Sequence, residues 1–318
     1  MPSLTELASY LESIAPAQIA ESWDNVGVLV RCAQEVTGVL CALDITPATV
    51  REARAVGCNA IVSHHPVIFR PLKELRQDDV PALLVREGVS AVCMHTNLDK
   101  AQGGVNDVLA QALGLRDTEP FAGGIGRVGA LPETMEAAAF AQFVGKALAA
   151  PVKWADAHGP VRRVAVVSGS GGDFSAEAAA AGADCLVTGE AGHHDALDAL
   201  AAGVTLVAAT HFATETAIAG VLAHETGHIM GGHILRQKIK LQNMQQISLA
   251  SMLAAGAAAA ATGRADAAIA IMMGTQSSML NAMLAYQVEE ERSADESAVK
   301  LLQKTEQSPA GMRNFMKK

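Results

Sequence analysis

The sequence predicts an α/β fold over its first two-thirds: a mainly parallel sheet with flanking helices, followed by an all-α C-terminal segment. Three observations carry this prediction. Short apolar runs alternate with amphipathic stretches as far as Glu215, the βαβα rhythm of a parallel sheet. Several of those runs end in polar residues, as strands do when they run toward a ligand-binding edge. Beyond residue 216 the strand-like runs stop, and helical periodicity continues except for breaks near Gly263, Gly274 and Pro309.

Taken in order, residues 3–14 read as an amphipathic helix, and ESWDNVGVLV as a turn entering a strand. VTGVLCALD is a strand, and TPATVREARAVG a helix with a Thr N-cap and a terminal Gly. NAIVSHHP is a buried strand ending in two histidines, and PALLVREG a helix. VSAVCMHTNLD reads as a strand with a polar end, and GGVNDVLAQALGL as a helix. Residues 120–160 are punctuated by Gly, Ala and Pro and could form an inserted subdomain. VRRVAVVSGSGGD is a strand with a glycine-rich turn. ADCLVTGE, GHHDALDALAAG and VTLVAATHFATE then repeat the strand, helix, strand pattern. The division is therefore into residues 1–216 and a helical segment 217–318, with no Pro/Gly/Ser linker at the join.

Composition narrows the classes of function. A net charge of −9 argues against a general nucleic-acid binder, although it leaves room for a local basic patch. With 50% hydrophobic but only 3% aromatic residues, Ala, Val, Leu and Met must fill the core. The five cysteines lie mostly in apolar runs with no CxxC spacing, which reads as buried free thiols in a reducing compartment. The N-terminus lacks a basic region followed by an apolar run, so a cytoplasmic location is expected. The apolar stretches 247–262 and 267–286 read as buried or interfacial helices rather than membrane spans.

Chemistry gathers at the strand ends: His64 and His65, His95 and Asp99, His211 and Glu215. One histidine at a strand end is usually an ordinary polar cap. Three strands delivering imidazole and carboxylate to one edge point to a metal centre instead, of Zn, Fe, Mn, Co or Ni rather than Mg or Ca. A shared carboxylate can bridge two such ions. Nearby, Glu190, His193 and His194 serve equally well as site neighbours or as a helix start, and Asp24 and Asn25 as cavity or turn residues. The run Gly169–Gly172 could offer amides to a phosphate, but it lacks GxGxxG or Walker spacing and reads first as a tight turn.

SWDNVGVLV, SHHPVIF, MHTNLDKAQGGVND, VAVVSGSGG, LVTGEAGHHDALDA and THFATE together resemble the GTP cyclohydrolase 1 type 2 homologue, or NIF-three-like, family over residues 1–216. The resemblance implies two divalent ions held by His64, His65, Asp99, His211 and Glu215, with Glu215 as the bridge and His95 close by. Thr210 stands where that family usually has Gly. It further implies a toroidal homo-hexamer with the sites facing an inner cavity. The implied activity is hydrolysis of a small molecule, a nucleotide among the candidates, by a metal-bound hydroxide.

A second constellation follows. His224-Glu225-Thr226-Gly227-His228 is an HExxH motif, whose two histidines share one face of a helix and can hold one zinc beside Glu225 as general base. Glu291 could complete the ligand set, with Asp295 one turn on to orient a histidine, whereas His233 does not fit a third-histidine spacing. Glu291 alone would read as part of a solvated acidic run. VLAHETGHIMGGH and YQVEEERSADESAVKLL resemble the HtpX-like zinc peptidases of the Ste-twenty-four type. That resemblance carries His224, His228 and Glu291 into zinc ligation, Glu225 into catalysis, and a peptide into the substrate role. It covers a fragment of that family, without its substrate-pairing edge strand. A continuous helix would set Glu215 and His224 about 13 Å apart along its axis. Three readings follow: a dinuclear metal-dependent hydrolase, a zinc endopeptidase, and a non-enzymatic ring-forming metal binder.

Overall fold

The computed structural model describes residues 1–215, 226 and 291–296. Helix α1 (Leu4–Ile14) begins at Ser3, whose hydroxyl accepts the Glu6 amide while the Glu6 carboxylate accepts the Ser3 amide. That reciprocal cap satisfies two amide donors at the start of the helix. Leu4, Leu7 and Leu11 recur on one face and are buried.

The first sheet is built from β1 (Gly27–Val30), β2 (Val39–Ala42), β3 (Ala60–Ser63) and β4 (Ser90–Cys93), with α2 (Pro47–Ala55) and α3 (Val80–Glu87) as crossovers. Its order is β1-β4-β3-β2; β2, β3 and β4 run parallel, and β1 closes one edge antiparallel. Val39, Cys41, Ala60, Val62 and Val92 face the leucines of α1, while Leu40, Ala42, Ile61 and Ala91 pack with α2 and α3. Because both faces are covered, these strands read as unbroken apolar runs rather than alternating ones. Thr46 caps α2 as expected, and Gly88 ends α3 in the left-handed conformation at φ 68°.

Helix α4 (Thr96–Lys100) departs from the sequence expectation. VSAVCMHTNLD reads as one strand, yet pairing stops at Cys93 and the chain turns into a short helix after His95. Asp24 causes the turn: its carboxylate accepts the Thr96 amide at 3.0 Å and the Thr96 hydroxyl at 2.5 Å. Asp99 is therefore carried on a helix, not on a strand end.

Helix α5 (Val105–Ala112) joins the halves, with Val105 and Val108 in the first core and Leu109 and Ala110 in the second. The second sheet follows: β5 (Arg116–Phe121), β6 (Gly126–Glu136), α6 (Ala137–Ala147), β7 (Lys153–Ala155), β8 (Pro160–Val167), α7 (Ser175–Ala180), β9 (Cys185–Thr188), α8 (His193–Ala201), β10 (Thr205–Ala208) and α9 (His211–Glu215). Its order is β5-β6-β8-β9-β10-β7, with β8, β9 and β10 parallel and the outer strands antiparallel. The α/β class thus holds, with parallel pairing confined to the centre of each of two sheets. Residues 120–160 do not form an inserted subdomain; they supply β6, α6 and the edge strand β7 of the second sheet.

Two buried polar residues fasten the sheets together. Arg127 on β6 donates to the carbonyls of Lys100 and Ala101 at the C-terminal end of α4, and pairs with Asp107 of α5. Asn106 donates to the Ile125 carbonyl at 2.7 Å and accepts the Ser168 amide at 2.8 Å. Among the described residues no helix is long and apolar enough to cross a membrane.

Candidate metal centre

The carboxyl ends of the parallel strands of both sheets meet in one cleft. His64 and His65 follow β3, His95 and Asp99 follow β4, Ser168 follows β8, and His211 and Glu215 lie on α9 after β10. The structure thus brings together the five residues His64, His65, Asp99, His211 and Glu215, with His95 beside them as the sequence implied. Ligand-capable atoms of His64, His65 and His95 lie within 4.8 Å of one another, as do those of His65, His211 and Glu215. The two groups share His65.

Each histidine is turned by its other ring nitrogen. Nδ1 of His64 lies 2.8 Å from the Met94 carbonyl oxygen, and Nδ1 of His65 lies 2.8 Å from Asp44 Oδ1. Nδ1 of His95 lies 2.9 Å from Asp24 Oδ1, and Nδ1 of His211 lies 3.4 Å from Glu190 Oε2. An acceptor at Nδ1 fixes the tautomer and leaves the Nε2 lone pair as the ligand. Nε2 of His64 sits 3.6 Å from Glu215 Oε1 and 3.7 Å from Asp99 Oδ1. Nε2 of His211 lies 3.2 Å from Glu215 Oε1 and 3.3 Å from Nε2 of His65. Two ring nitrogens this close, with carboxylates around them, suit a shared cation or proton.

Two atoms make the case for a cation. Nε2 of His64 and Oε2 of Glu215 are buried without a hydrogen-bond partner, although Oε2 is 3.2 Å from His65 Nε2. Leaving such groups unpaired costs about 1–3 kcal/mol each. The donor set of imidazoles and carboxylates fits a borderline transition-metal ion, not Mg or Ca. Room is kept for it by Gly169, at φ +63°, where a Cβ would fall 2.6 Å from Glu215 Oε1 and 3.2 Å from His211 Nε2.

The field of the cleft favours positive charge. Burial opposes a charged His64, but Asp99 and Glu215 outweigh it and raise its pKa to about 9. The hydrogen bond to Glu215 raises His211 to about 9 as well, against the effect of burial. Burial would raise Glu215, yet the imidazoles of His211, His64 and His65 gathered around it hold it far below the usual carboxylate range. Asp99 goes the other way, because burial outweighs His64 and the hydrogen bond from Ser168. Asp24 would rise through burial, but His95 and Thr96 lower it to about 2.

Sequence reasoning missed Asp44 and Ser168. Asp44 ends the run VTGVLCALD, two residues beyond β2, and shows the same strand-end signal as the histidines. Ser168, which donates to Asp99 Oδ1 at 3.1 Å, looked like part of the glycine turn. In that turn the amides of Gly169 and Gly171 donate to Thr214 and Thr188, so they are committed to the fold rather than offered to a phosphate. Glu190 proves to be a partner of His211, whereas His193 and His194 are exposed on the first turn of α8. Asn25 donates to the Ile68 carbonyl and serves the loop.

His224, Glu225, His228 and His233 lie outside the described residues. Thr226, between them, is buried with its hydroxyl 3.5 Å from Cys41 Sγ. Glu291 is exposed, on the helical stretch 291–296. The expected all-α character of residues 217–318 falls almost wholly on residues that are not described.

Comparison with known proteins gives the family and the fold. Residues 2–228 match the family model Duf34/NIF3 (NGG1p interacting factor 3), and the chain belongs to that family. Residues 194–317 match the model of peptidase family M48, so the two matches overlap over 194–228. A GTP cyclohydrolase 1 type 2 homolog of Clostridium perfringens is 31% identical over 226 residues, covering 67% of this chain and 86% of that protein. One from Streptomyces coelicolor is 34% identical, covering 68% and 82%. Among solved structures, a Staphylococcus aureus hypothetical protein superposes with a TM-score of 0.64 at 29% identity, covering 74% of this chain and 93% of that one. Reduced HcgD from Methanocaldococcus jannaschii superposes at 0.60 with 26% identity, covering 67% and 89%.

Proposed function

We propose that this chain is a metal-dependent hydrolase of the GTP cyclohydrolase 1 type 2-like kind. Two divalent cations would be held by His64, His65, Asp99, His211 and Glu215, with His95 joining His64 and His65. The observation that supports it most is the convergence of three histidines, His64, His65 and His211, each anchored through Nδ1, on the buried carboxylate of Glu215 with its unpaired oxygen, with His95 grouped beside His64 and His65. A pair of such cations, when bound, supplies Lewis acidity and makes a water more acidic.

The chain's own residues do the rest. Met94, Asp44, Asp24 and Glu190 hold the imidazoles in orientation, as outer partners do in metal sites generally. Ser168 orients Asp99. Glu215 lies within 3.6 Å of His64, His65 and His211, which suits a bridging carboxylate. The test is metal content per chain together with turnover of GTP and of simple phosphoesters. Wild type should hold about two ions, and His64→Ala should lose metal and turnover together. Full occupancy in His64→Ala would refute the ligand assignment. Stoichiometric metal without turnover of any substrate class would favour the non-enzymatic reading.

The M48 match supports a second activity in the C-terminal third, zinc endopeptidase chemistry through His224, His228, Glu291 and Glu225. We place its boundary with the first unit at residues 216–217. Casein cleavage abolished by Glu225→Gln and retained by His64→Ala would support it; no cleavage by zinc-loaded wild type would count against it.

A further inference from the structure

We propose that Trp23 and Phe69 form an aromatic corner that seats a planar heteroaromatic ring of the substrate, such as a nucleobase, beside the histidine cluster. This rests on the hydrolase reading and narrows its substrate class. The chain has only two Trp, two Tyr and seven Phe, so aromatic surface is scarce. Phe140 is wholly buried in the core, yet Trp23 is 58% exposed and Phe69 44% exposed. Their rings meet at 5.8 Å and 70°, and each stands edge-on to His95 at 6.3 Å.

Both rings ride on segments tied to the centre. Trp23 precedes Asp24, which holds His95 and Thr96. Phe69 follows Ile68, whose carbonyl accepts Asn25 Nδ2 at 2.5 Å, and it lies four residues beyond His65. His95 in turn lies 5.3 Å from His64 and 5.7 Å from His65, ring centre to ring centre, so the corner abuts the cluster at its His95 member. A ring stacked in the corner would point one edge at that cluster. An entirely apolar ring would gain only the stacking, whereas one with nitrogen or oxygen at its edge is recognised at both ends. Stacking of this kind is worth about 1–3 kcal/mol per base.

Trp154→Phe leaves Trp23 as the only tryptophan, and its fluorescence reports directly on the corner. Titration with inosine should quench it saturably, while ribose 5-phosphate, which lacks the ring, should not. Phe69→Ala in that background should weaken the inosine response about tenfold with metal content unchanged. An equal response to ribose 5-phosphate, or none to inosine, would overturn the proposal. So would a fall in particle mass for Trp23→Ala without an inosine response, which would make the corner a contact between copies of the chain. Metal analysis of the same samples separates the two readings. Quenching without bound metal leaves the corner standing and removes the centre; metal without quenching does the reverse.

Discussion

His64 shows how much one side chain can carry here. It is wholly buried, fixed by a main-chain carbonyl, and left with an unpaired ring nitrogen facing two carboxylates. Near neutral pH, without metal, that nitrogen takes a proton, since its pKa is raised to about 9. The sign of two pH effects follows. In metal-free protein the proton on His64 stabilises the fold fully below the unfolded value near 6.5 and ceases to as pH rises through about 9. Metal must displace the same proton, so metal affinity rises over that range. Thermal melts should therefore fall with pH for metal-free protein, while calorimetry should show tighter binding with proton release; affinity independent of pH would contradict this. Gly169→Ala gives a second test at this scale. Its Cβ would enter the space beside Glu215 and His211, so metal content should drop at least tenfold with the circular dichroism unchanged. The histidine pair was legible from sequence because strand ends in α/β sheets are where ligands bind. The Nδ1 partner of His95 was not, because Asp24 lies 71 residues away and only the fold brings it near.

Among the elements, α4 and α5 decide whether the cleft exists. Helix α4 was misread as strand because nothing local in HTNLD forbids extension; the side chain that turns it comes from the loop before β1. The β5–β7 region was opaque for a different reason. β5 is exposed at every residue but Phe121, so it shows no apolar alternation. Helix α5 then hands over from one core to the other within two turns, with Arg127 of β6 pairing with its Asp107. Arg127→Met should strand its carbonyl and carboxylate partners and destabilise the protein by on the order of 3 kcal/mol, read from urea denaturation. A change below about 0.5 kcal/mol would show that the clamp is dispensable.

At the scale of the molecule, two sheets with separate cores are joined so that their carboxyl edges share one cleft. Alternation of strand and helix made the α/β class readable, but no pattern in the sequence said that the parallel strands split into two sheets. We propose the ring assembly that the sequence resemblance implies, and light scattering on the full chain should give about six copies. Directly decisive for the account as a whole is anomalous diffraction from crystals grown with Zn or Mn. It should show two peaks inside the cleft, one among His64, His65 and His95 and one among His65, His211 and Glu215. Peaks confined to other surfaces, or none in the cleft at saturating metal, would contradict it.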